Sequence, residues 1–195
     1  MSNFTFLLQK TSSVKNICIL FITSHLVLLS MLLFTFPVIN KQIGTKAFDL
    51  QTFGYSVSKA ESIVRNLNDQ TAQMYLFPQL TFLDLLYPFL LALFLSSVLF
   101  RLVNQNTKYR LGLLSIPFLA MAFDYLENIC VILMISKTLE ISESLVRISS
   151  SFTVLKGVLT SISWLVILTY ILKWLVLRFK DKFNRTALNK KLNHK

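Results

Sequence analysis

Four apolar runs divide this chain, at about 16–38, 79–102, 111–135 and 153–177. Each is about as long as a helix that crosses some 30 Å of hydrocarbon, a distance that takes about 20 residues. A segment inside lipid must satisfy its own backbone donors and acceptors, which leaves the helix as the solution for runs of this kind. The chain as a whole agrees: 54% of its 195 residues are hydrophobic, and the mean hydropathy is +0.60, far from a soluble composition. We therefore expect an all-α, polytopic, single-domain membrane protein with four transmembrane helices. The first run, ICILFITSHLVLLSMLLFTFPV, follows Lys10 and Lys15. It exceeds the roughly 7–15 apolar residues of a secretory signal and has no small-residue cleavage pattern after it, so it reads as a retained signal anchor.

The net charge of +11 invites a nucleic-acid reading, but the basic residues stand at the ends of the apolar runs and not along one amphipathic face. A membrane surface accounts for them, and no nucleic-acid partner is expected. Lysine and arginine near span ends stay cytoplasmic. Arg101, Lys108 and Arg110 between the second and third runs, and the basic tail 178–195, place both of those regions in the cytoplasm. The remaining loops mix signs and suit the outer face. With no other targeting signal, the expected location is a bacterial inner (plasma) membrane, multi-pass, with both termini cytoplasmic. Cys18 and Cys130 lie inside apolar runs, where a thiol behaves as a small hydrophobe; neither a disulfide nor redox chemistry is expected.

The loop after the first run carries its own helix signal. Ser58 and Glu61 have the spacing of a capping box, and Ala60, Ile63, Val64, Leu67, Thr71 and Met74 recur at three- and four-residue intervals. This predicts an amphipathic helix over about 59–75, lying on the outer leaflet or capping the bundle. Phe77-Pro78 should end it, because proline disfavours helix in the residue before it. Tyr55 and Tyr75 are expected at the outer interface, as aromatic belt residues. The tail, with Phe179, Phe183, Leu188 and Leu192 among its charges, reads as a topology signal attracted to anionic lipid.

Polar residues inside the runs mark the candidate site, since ionisable side chains in a membrane are costly and tend to serve a purpose. Asp124, Glu127 and Asn128 in the stretch AFDYLEN share one helix face. Asp84 enters the second run, followed by Tyr87 and by Pro88, whose missing N–H frees a carbonyl near Asp84 for another polar group. The fourth run adds Lys156, a candidate counter-ion, with Thr160, Ser161 and Ser163. The first adds His25 with Ser24 and Ser30. A cluster drawn from all four helices is the expectation, with Asp84, Glu127 and Lys156 forming ion pairs within it.

These positions also resemble a pattern. A glycine-tyrosine-serine turn (Gly54, Tyr55, Ser56) precedes Glu61, Tyr75, Asp84 and Pro88, and a D-x-x-E-N motif follows at Asp124, Glu127 and Asn128. Across about 54–135 this is similar to a group of uncharacterised bacterial four-span membrane proteins. It departs in having Ala72-Gln73 where that group carries glycine-arginine. The resemblance implies the four-span architecture and no activity.

Three functions follow from the cluster. In the first, the polar residues lock helix register and bind a small polar ligand, a proton or a lipid headgroup, without catalysis. In the second, they form the pathway of a small transporter or proton-translocating oligomer, although no internal repeat or glycine-broken half-helix is present. In the third, His25, Asp124 and Glu127 hold a metal for intramembrane hydrolysis. One histidine is thin for a catalytic metal, which usually takes two or three nitrogen or sulfur ligands, and HExxH, GxSxG and CxxC are all lacking. We expect the first function, with no cofactor. The expected partners are membrane lipids and either a second copy or another membrane protein.

Overall fold

In a computed structural model the described residues are 3–192, with side chains described to Arg178 and at Lys180. The expected behaviour of the tail beyond these, His194 included, lies outside the described residues. Every regular element described is helical. Four of the helices are long and apolar enough to cross a membrane. The protein is an all-α polytopic membrane protein.

A short helix not foreseen in the sequence, α1 (Asn3–Thr11), precedes the first span, α2 (Val14–Ile43). Ser13 separates them by capping α2, its hydroxyl accepting from the Asn16 N–H. The second span, α4 (Asp69–Leu102), follows a loop helix, α3 (Val57–Asn66). The third is α5 (Arg110–Ile135), and the fourth belongs to α6 (Glu143–Leu192). That last helix starts ten residues before the expected span, so the loop from α5 shrinks to 136–142. At the opposite end 103–109 makes the tight turn expected between the second and third spans. Arg110 braces it: the guanidinium donates to the Phe100 and Val103 carbonyls left open at the end of α4 and lies over the Phe100 ring. A cation at a helix C-terminus also meets the negative end of the helix dipole.

The spans form an open series. α2 packs along α4, α4 along α5, and α5 along α6, with α4 also touching α6; α2 and α6 share no more than marginal contact. Two apolar cores result. One lies at the short-turn end around Leu95, Leu99, Leu114 and Ile167 with Leu8 of α1. The other lies at the long-loop end, where Phe36, Ile39 and Ile43 of α2 meet Phe48, Ile63, Tyr75, Met134 and Val146.

The long loop is folded down onto that second core. Gly44 ends α2 in the left-handed conformation, φ 72°, which costs glycine least. Asn40 then holds the Ala47 N–H at 2.7 Å, and Asn66 of α3 donates to the Ile43 carbonyl. The loop helix differs from expectation in two respects. Its cap is Ser56, accepting from the Lys59 N–H, so the helix begins before the Ser58–Glu61 pair. It also stops at Leu67, which is extended, and Asn68 caps a new start at Asp69. One stripe of apolar residues thus serves two helices at an angle, with Ala60 and Ile63 buried in the core. The break expected at Phe77-Pro78 is present: Phe77 has extended backbone, φ −142°, ψ 126°.

Candidate functional site

Both α2 and α4 depart from regular α-helix near the long-loop end: α2 has a wide π turn at Met31–Thr35, and α4 is kinked within Tyr75–Leu83, where Phe77 is extended and Pro78 follows. Such turns occur often at functional sites because they re-aim side chains and free backbone groups. Thr35 of α2 donates to Gln79 Oε1 of α4, joining the first and second spans near a cavity that Met31, Phe36 and Asp84 help to line. The cavity measures about 280 Å³ and is lined by all four spans and the loop.

After the kink, α4 resumes at Asp84. The carbonyl of Asp84 has lost its α-helical donor, because Pro88 stands four residues on. Asn128 of α5 supplies the replacement, its Nδ2 donating to that carbonyl at 3.2 Å. The freed carbonyl thus has a polar partner, which the sequence did not single out, and the bond ties α4 to α5. The side chain of Asp84 is 4% exposed and lines the cavity.

One helical face of α5 carries Asp124 and Glu127 towards Lys156 of α6. The ammonium contacts Asp124 Oδ1 and lies 2.7 Å from Glu127 Oε2. Glu127 is fully buried, and its other oxygen accepts from the Thr153 hydroxyl at 2.7 Å. Lys156 thus neutralises part of two carboxylates and fastens the third span to the fourth. The expected pairing with Asp84 is corrected: among the described residues no cation stands within ion-pair distance of Asp84, because Asp124 and Glu127, one turn apart on the same face, occupy Lys156.

The first span contributes apolar wall, Leu28, Met31 and Phe36, in place of the polar residues expected of it. Ser24 donates to the Phe21 carbonyl and Ser30 to that of Leu26. His25 turns its Nδ1 to the Phe21 carbonyl and Ser24 hydroxyl, with its ring against Phe21 and Phe94. It does not join Asp124 and Glu127, and among the described residues no three His, Cys, Asp or Glu side chains are grouped to hold a metal ion. Tyr87 lines the cavity wall as expected of a site residue.

Asp49 is the site residue that the sequence did not reveal. It lies in a short 3₁₀ turn of the loop, Phe48–Leu50, and reaches the cavity because Tyr75 holds the turn down. Tyr75 is fully buried, which corrects its expected place at the interface. Its hydroxyl accepts from the Phe48 N–H and donates to Asp49 Oδ2, both at 2.8 Å. The next turn is pinned to α6. Gly54 has φ 82°, and a Cβ there would lie 2.3 Å from the Ser150 Oγ, so a side chain is excluded on two counts. Tyr55 follows, its N–H bonded to the Ser150 hydroxyl and its phenol donating to Ser149 at 2.6 Å. Burial raises the pKa of that phenol above its usual value. The Gly-Tyr-Ser segment is a clasp between loop and fourth span, and the Ser56 cap completes it.

Three cavity-lining carboxylates have one buried oxygen each without a hydrogen-bond partner in the protein: Asp49 Oδ1, Asp84 Oδ2 and Asp124 Oδ2. Nearby, Gln79 Nε2 and Asn128 Oδ1 are also unpartnered. Around them the lining is mostly apolar, with Leu50, Leu91, Leu95, Pro117 and Met121. An apolar pocket with a few convergent polar groups is the general form of a ligand site. Comparisons of the chain with family models, with curated proteins and with solved structures find no match.

Proposed function

We propose that the protein is a non-enzymatic binding protein of the membrane, whose polar cavity takes a small polar ligand and whose ion-paired wall holds the spans in register. Three carboxylates that line one cavity, Asp49, Asp84 and Asp124, each with a buried oxygen that no protein group satisfies, carry this reading. Leaving a buried polar atom unsatisfied costs about 1–3 kcal/mol, and more for a charged group. A lock made for stability alone needs only Lys156, Asp124, Glu127 and Thr153, which tie the third span to the fourth. Asp84 and Asp49 add nothing to that lock, and their free oxygens favour a ligand as the missing partner.

The cavity then belongs to the outer half of a bacterial inner membrane, with both termini in the cytoplasm. Arg101, Lys108 and Arg110 at the short turn support that orientation. A cysteine at Asn106, in a chain with Cys18 and Cys130 replaced by serine, should react with an impermeant thiol reagent only after cells are opened; reaction from outside inverts the orientation. Native mass spectrometry of the gently solubilised protein tests the binding reading. The wild type should release a bound small molecule that a Gly157→Leu variant lacks, since Gly157 lines the cavity and a Cβ there meets nothing within 4 Å. Bare protein in both cases would sink it.

A further inference from the structure

The chemical class of the ligand can be taken further, on the footing that the cavity is a binding site. We infer that it receives a primary ammonium group carried on an apolar chain, which lies in the seam between the first and fourth spans.

Charge is the first consideration. Four carboxyl groups, those of Asp49, Asp84, Asp124 and Glu127, gather here against the single ammonium of Lys156. Each free oxygen is an acceptor, and a carboxylate offers no donor. With these acids ionised, the group they lack is therefore a donor, and a cation offsets the excess negative charge. A primary ammonium has three N–H donors, and Asp84, which has no cation within ion-pair distance among the described residues and one buried oxygen unpartnered, is the acceptor it would meet. A bare metal ion fits poorly, because among the described residues no three acidic, histidine or cysteine side chains group as its ligands.

The walls supply the second consideration. Beside the acids the lining is mostly hydrocarbon, with Leu28, Met31, Leu91, Leu95 and Met121, so a strongly hydrated inorganic cation would lose water to little advantage. An alkyl chain would not. The open order of the helices gives that chain a path. Leu28 and Met31 of α2 and Gly157 and Thr160 of α6 all line the cavity, yet these two helices share no more than marginal contact. The alkyl chain would enter along the seam between them. Gly157 removes a side chain from its edge, and Val154 and Val158 beside it are exposed for an apolar chain to lie along.

Two sources carry this chemistry: a membrane lipid with an amino headgroup, and a free amphipathic amine. Calorimetry on the detergent-purified full chain with hexylammonium, hexan-1-ol and hexanesulfonate tests the class. Hexylammonium should bind about tenfold or more tighter than the alcohol, with no binding of the sulfonate. Asp84→Asn should lose about tenfold for the ammonium alone, and Gly157→Leu should lose binding altogether. Repeating the titration in lipid nanodiscs separates the sources. Weaker hexylammonium binding in ethanolamine-headgroup discs than in choline-headgroup discs identifies the lipid, and equal binding identifies a free amine; both support the inference. If the alcohol or the sulfonate binds as well as the ammonium, the ammonium class is overturned while the binding site stands. If none of the three binds, the ammonium inference fails; if Gly157→Leu also melts higher than wild type, the cavity is a packing void and the binding reading fails with it.

Discussion

At the short-turn end of the bundle the buried hydroxyls are all engaged: Ser96 donates to the Leu114 carbonyl at 2.9 Å, Ser97 shares a hydrogen bond with Thr11 of α1, and Ser163 donates to Leu159. At the long-loop end the opposite holds. Among the described residues, every buried side-chain polar atom lacking a hydrogen bond lies there, on Asp49, Gln79, Asp84, Asp124, Asn128 and Glu127, the last held by its ion pair with Lys156. The same chain has therefore completed its polar groups in one half and left them incomplete in the other. Low polarity at the first end allows satisfaction by neighbouring backbone, whereas the second concentrates charge that the protein alone does not balance. The incomplete half is where a ligand is expected, and the complete half is its scaffold.

Thermal unfolding in detergent can break or sharpen that contrast. The largest effect should come from Lys156→Met, which strands Asp124 and Glu127 without a counter-ion and should cost about 3–5 kcal/mol. A mild effect would show that these acids already carry their own protons. Gly54→Ala forces a side chain into a left-handed backbone and against Ser150, and should cost about 1–3 kcal/mol by prising the loop from α6. Asn128→Leu should cost about 1 kcal/mol, the worth of a hydrogen bond to a buried carbonyl. In a Pro88→Ala background that loss should shrink, because the backbone N–H restored at position 88 returns to the Asp84 carbonyl; additive losses would deny the link. Smallest is Ser96→Ala, about 0.6 kcal/mol, the usual scale of a polar contact between membrane helices. Should it rival Lys156→Met, the two halves do not differ as described.

Much of this was legible because the relevant signals are local. Span lengths follow from hydropathy, and the third span begins and ends within a residue of its expected bounds. The face shared by Asp124, Glu127 and Asn128 follows from helical spacing, and the carbonyl freed by Pro88 follows from backbone chemistry. Other features depend on tertiary placement. Asp49 looks like any loop acid until Tyr75 is known to hold its turn over the cavity. Tyr75 reads as an interfacial aromatic until the loop covers it. Asp84 and Lys156 have opposite charges, but sequence cannot say that Asp124 and Glu127 claim the lysine first. His25 shows the same limit: its neighbours on its own helix satisfy it, and no periodicity announces that.

The bond from Asn128 to the Asp84 carbonyl has a consequence for descent. Pro88 creates the vacancy and Asn128 fills it, so neither substitution is neutral without the other. A lineage that lost the proline would free the asparagine to drift, and one that lost the asparagine would be under pressure to recover a backbone donor at position 88. The two residues are 40 positions apart in the chain and should behave as one inherited character, present together or replaced together.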